Sequence, residues 1–141
     1  MLHAKDLMVG DYLRINRDGL CIKKGTIVEV RGIDADDKLI EAGLIGSTHY
    51  HPLDKELFDG GIRCDYLDPI PLTPEILKKN GWKEYASSED FHGYNCVFIK
   101  QKGGYYGACV DYKRTVSGPL KYVHELQHTL RLCKIEKEIE L

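Results

Sequence analysis

The stretch "LDPIPLTPE", Leu67 to Glu75, constrains this chain more than any other. Three prolines within six residues (Pro69, Pro71 and Pro74) remove backbone donors and fix φ. That excludes regular pairing and predicts a stiff extended connector. A boundary is expected near Asp68, with one domain over 1–67 and a second over 68–141.

Upstream of the connector the chain is strand-like and rich in turns. "DYLRIN" alternates and ends at Asp18-Gly19, a tight-turn pair. "GTIVEVRGI" follows with β-branched Ile27, Val28 and Val30, then Asp36-Asp37 and "KLIEAGLI". A further turn at Asp59-Gly60-Gly61 leads into "IRCDYL". Short strands at close spacing predict a small, strongly bent antiparallel β-barrel, and "LMVGDYLRI" resembles the entry strand of Src-homology-3-like barrels.

Downstream, Thr73 is a good N-cap, Pro74 suits the first helical position, and Asn80-Gly81 stops the helix "PEILKKN". Trp82 is expected to anchor that helix on a sheet. "NCVFIKQKGGYYGACVDY" reads as a hairpin closing on Gly103-Gly104, with Ile99 opposite Ala108 and Val97 opposite Val110, and with Tyr106 buried. Pro119 is expected to open a second helix from about Leu120 to Cys133, and "KEIEL" can add a C-terminal edge strand. The fold class is therefore α+β: a small barrel, then an α-β-β-α unit.

Within the second helix, "HELQH" matches the His-Glu-x-x-His pattern of zinc hydrolases. His124 and His128, one turn apart, would ligate the ion, and Glu125 would hold water as general base. Three features oppose a zinc cofactor. At about 100° per residue, Tyr122, Val123, Leu126, Leu130 and Cys133 form the apolar stripe, which turns the histidines roughly 170° away toward solvent. Lys121 and Arg131 place cations on the histidine side. No third histidine follows at metzincin spacing, Glu136, Glu138 and Glu140 lie too close in sequence, and only His49 and His51 of "THYHPLD" offer a distant supplement.

The hairpin carries a different candidate surface. Lys100, Lys102, Lys113 and Arg114, interleaved with Tyr105 and Tyr112, suit nucleic-acid contact by stacking and phosphate neutralisation. The overall balance does not reinforce it, because 20 basic against 22 acidic residues leave a net charge of −2. Five scattered cysteines without a C-x-x-C pair predict reduced, mostly buried thiols, and no apolar run suits a membrane span. The opening "MLHAKDLMVGDYL" has acidic residues where an export signal needs an apolar core, so a cytoplasmic location is expected.

"LMVGDYL", "DPIPLTPEILKKNGW" and "YVHELQHTLRL", in that order, are similar to a family of small uncharacterised bacterial proteins often found in prophages and mobile elements. Its members carry a "PIPLT" connector, a helix ending "GF" or "GW", and a late helix reading like "YVHQLQN". Tyr122, Val123, His124, Leu126 and Gln127 match, whereas His128 stands where Asn is expected and Glu125 where Gln is common. The resemblance implies no activity, cofactor or substrate. It implies a polar, hydrogen-bonding role for His124 and Gln127 that holds the domains together. The expected function is a non-catalytic binding or assembly module with a protein partner. The alternatives are a zinc-dependent hydrolase and a nucleic-acid-binding accessory protein.

Overall fold

The computed structural model describes residues 2–19, 22–34, 39–45, 62–85, 90–94, 96–101, 103–110 and 114–141. The protein is α+β: the described residues form two antiparallel sheets and two α-helices, and the chain divides into two compact units, Met1–Ile70 and Pro71–Leu141. The division falls just downstream of the expected 67/68 boundary because the connector begins as a strand. Leu67–Pro69 forms β5, pairing Leu13 with Pro69 and Ile15 with Leu67. Proline is tolerated there because β5 lies at a sheet edge, where a missing N–H need not break a ladder.

In the first unit, β1 (Tyr12–Ile15), β2 (Ile27–Ile33), β3 (Leu39–Leu44), β4 (Ile62–Arg63) and β5 lie in the order β4-β3-β2-β1-β5. A 3-10 turn, Cys64–Tyr66, joins the last two. Period-two alternation sends Leu13, Ile15, Val28, Val30, Ile40 and Ala42 into one core, with Ile62, Leu67, Ala4 and Leu7. The pairing among described residues does not close into a barrel: β4 and β5 are opposite edges. Asp18-Gly19 is not a tight hairpin turn either. Arg14 pairs with Ile27, so a long loop joins β1 to β2, braced by the Lys24 amide donating to Asp18 Oδ1 at 2.9 Å. The turns expected at Asp36-Asp37 and Asp59-Gly60-Gly61 lie outside the described residues.

The second unit contains α1 (Pro74–Lys79), β6 (Lys83–Glu84), β7 (Phe91–Gly93), β8 (Cys96–Gln101), β9 (Tyr105–Val110), β10 (Arg114–Leu120) and α2 (Val123–Leu132). Its sheet runs β10-β9-β8-β7-β6, so the expected hairpin is the centre of five strands. Its register is one residue away from the expected one. Gln101 pairs with Tyr105, Phe98 with Ala108, and Ile99 with Gly107, so the connection spans three residues. A one-residue change turns β8 over relative to β9: Cys96 and Phe98 are buried with Tyr106, Ala108 and Phe91, and Val97 is buried as well. Pro119 does not open a helix. It lies in β10, an edge strand, and α2 begins only at Val123. "KEIEL" forms no strand; Ile139 alone is buried there.

Both helices end in the same six-residue hydrogen-bond pattern, with different residues at the left-handed position. After α1, the Gly81 amide donates to the Lys78 carbonyl and the Trp82 amide to the Leu77 carbonyl, with Gly81 at φ +92°. After α2, Lys134 donates to Arg131 and Ile135 to Leu130, but Lys134 occupies φ +55°. A Cβ in that region crowds the adjacent carbonyl. Lys134→Gly is expected to stabilise the protein by about 1 kcal/mol, read as a rise in the urea midpoint. A fall would mean that the lysine side chain holds the turn.

Candidate functional site

The start of α2 is built by its own sequence. Tyr122 is extended at the N-cap, and Glu125 stands at the third helical position, where a carboxylate can fold back on the free amides. Its Oε2 accepts hydrogen bonds from the backbone amides of Lys121 and, at 3.0 Å, Tyr122. Just upstream, the Leu72 amide donates to the Lys121 carbonyl at 2.8 Å and Pro71 bridges to Tyr122, so the segment before α1 runs beside the entry to α2.

The histidines do not both face solvent. His124 is 4% exposed, and His128 is half-buried. The imidazole of His124 lies parallel to the Tyr122 ring at 5.8 Å, and His128 meets it edge-on at 5.8 Å. The expectation treated the apolar stripe as the whole buried face. The buried positions are Val123, His124, Leu126, Gln127, Thr129 and Leu130, which at 100° per residue sweep roughly 220° of the circumference. Polar His124 and Gln127 sit inside that arc, and hydropathy alone could not assign them to it. Leu132, exposed, marks the open side, with half-buried Glu125 and His128 flanking it.

Centroids 5.8 Å apart leave the two imidazoles near enough to reach one ion. Glu125 fits the zinc reading less well: a carboxylate oxygen that already satisfies two helix-start amides is not placed to draw a proton from water. Among the described residues, no group of three His, Cys, Asp or Glu side chains could hold a metal ion. His49 and His51 lie outside those residues. Glu125→Ala is expected to cost about 1 kcal/mol of stability by freeing the cap, measured by urea unfolding. An unchanged midpoint would release the carboxylate for another role.

The basic hairpin candidates are only partly placed. Lys100 is exposed on β8, opposite Tyr106; Arg114 opens β10 opposite Val110; Lys102, Lys113 and Tyr112 lie outside the described residues. Tyr106 is buried, as expected, and Lys121 approaches the Tyr105 ring at 5.9 Å. The Cys96 thiol is pushed up to about 12, first by burial and then by Cys133 and Cys109. The described cysteines are unbridged. Among the described residues, no helix is long and apolar enough to cross a membrane.

Sequence reasoning missed one contact. The Arg17 guanidinium lies 3.4 Å from the Tyr66 ring centroid, between segments that only the return of β5 beside β1 brings together. No local signal announces it. Compared with known proteins, the chain matches no family model, no curated protein and no solved structure.

Proposed function

We propose that this chain is a non-catalytic binding or assembly module, of the kind its resemblance to mobile-element proteins implies. The observation that carries the reading is Glu125. The residue that zinc hydrolysis needs as a free base accepts hydrogen bonds from the Lys121 and Tyr122 amides at the helix start. The burial of His124, its ring parallel to that of Tyr122, agrees with a packed side chain. The Src-homology-3-like reading of the first unit belongs to the same proposal. The return of β5 beside β1 after a 3-10 turn supports it, and pairing between β4 and β5 would complete it.

Elemental analysis of protein purified without added metal tests the reading. Zinc well below stoichiometry, unchanged in His128→Asn, is the expected result. Near-stoichiometric zinc that disappears in His128→Asn would replace the proposal with a metal site.

A further inference from the structure

The first unit carries an unusual concentration of cations beside one ring. The guanidinium carbon of Arg17 lies over the Tyr66 ring, 3.4 Å from its centroid, and that of Arg63 stands 6.0 Å from the same ring. The backbone under Arg17 is fastened to the opposite segment. The Asn16 amide donates to the Tyr66 carbonyl at 3.0 Å, and Asn16 Nδ2 donates to the Asp65 carbonyl at 2.9 Å and to Asp68 Oδ1 at 3.2 Å. The same loop presents Lys23 and Lys24, both exposed.

The carboxylates nearby are engaged within the fold. Asp18 accepts from the Lys24 amide, Asp68 from Asn16, and Asp65 is bound to Arg63 at 3.0 Å, which holds its carboxyl below the usual range. Arg17, Lys23 and Lys24 form no ion pair with a described residue. Arg17, Lys23 and Lys24 against Asp18 leave this loop a net charge of +2, with all three cations exposed, although the chain as a whole is slightly acidic.

We propose that Arg17, Lys23 and Lys24, with Tyr66 as the platform, form a binding surface for single-stranded nucleic acid. The inference names a partner class for the non-catalytic module and rests on that reading. A guanidinium held against an aromatic face keeps its N–H donors and has lost much of its rotamer entropy before binding. Such a group pairs bidentately with a phosphate. The pair can also offer a surface to a base, as guanidinium planes and aromatic rings do in single-strand recognition. Lys23 and Lys24 add point charges farther along the loop, which suits a chain of phosphates better than one anion.

The test is fluorescence anisotropy of a labelled oligothymidylate with the full chain between about 50 and about 200 mM salt. Neutralising about three phosphates gives a log–log salt slope near −2. Replacing Arg17, Lys23 and Lys24 together by Ala is expected to flatten that slope and weaken binding at least about tenfold at low salt, while Lys100→Glu leaves it unchanged. Tyr66→Leu, which keeps the charges but removes the platform, is expected to weaken binding several-fold, with circular dichroism melts confirming that each variant folds. The proposal is overturned by absent low-salt binding, by binding that the triple variant retains, or by loss in Lys100→Glu instead. Displacement by polyglutamate or inorganic phosphate as readily as by unlabelled oligothymidylate would also overturn it, in favour of an acidic polypeptide or a single-anion site. A zinc result in His128→Asn would sink the non-catalytic reading without altering these titrations, so the two failures are distinguishable.

Discussion

Asn80→Ala is expected to cost about 2–4 kcal/mol, far more than a helix-end substitution normally does. Asn80 is 1% exposed and uses both ends of its amide. Nδ2 donates to the Ile76 carbonyl at 2.8 Å and to the Glu140 carbonyl at 2.7 Å, and Oδ1 accepts from the Glu140 amide at 2.8 Å. The side chain thus pairs with the last segment as a neighbouring strand would, which is why that segment needs no sheet of its own. Its removal frees Ile139, 3% exposed, and leaves the Ile76 carbonyl without that donor. Trp82 is the only tryptophan, so its fluorescence during urea unfolding reads the second unit directly. Asn80→Asp is expected to be at least as damaging, because a carboxylate would face the Ile76 and Glu140 carbonyls. If Asn80→Ala moves the midpoint by less than about 0.5 kcal/mol and leaves Glu140 amide exchange unchanged, the pairing is incidental.

That contact marks where sequence reading stops. The start and stop of α1 were legible because each signal acts on its own backbone: Thr73 accepts from the Ile76 amide at 3.4 Å, Pro74 follows, and Gly81 takes the left-handed turn. "KEIEL" offered only alternation, which does not distinguish a strand from an extended segment pinned by one distant amide. The hairpin formed, and its register differed for a narrower reason. "KGGY" permits a two- or a three-residue connection, and the choice turns β8 over relative to β9, so Phe98 shares a face with buried Tyr106 and Ala108. The prolines misled twice in the same way, since Pro69 and Pro119 both sit in edge strands where the missing donor costs little.

For the candidate site, the motif was legible and its geometry was not. "HELQH" can place a base beside two ligands or a cap beside two packed rings, and spacing is identical in both cases. What separates them is the rotamer of Glu125 and the width of the buried arc, and both are tertiary. The Arg17–Tyr66 contact needed the return of β5, which the sequence had hidden behind a proline.

Trp82→Ala is expected to be the most damaging change of all, about 3–5 kcal/mol, because the indole joins the helix end to the sheet. Its backbone amide closes the turn after α1, and its ring, 1% exposed, meets Phe98 at 5.3 Å and Tyr94 at 5.2 Å, both edge-on. Its Nε1 is buried with no hydrogen-bond partner among the described residues. Among the described residues nothing replaces the water that this donor gives up, so part of the packing gain is offset. Trp82→Phe keeps a ring against Phe98 and discards the unsatisfied N–H. Its expected cost is therefore well under half that of the alanine variant, despite the lost volume. Circular dichroism during urea unfolding measures both. A phenylalanine variant as unstable as the alanine one would mean that the indole nitrogen is satisfied in solution, and that Trp82 acts through a polar contact as much as through its area.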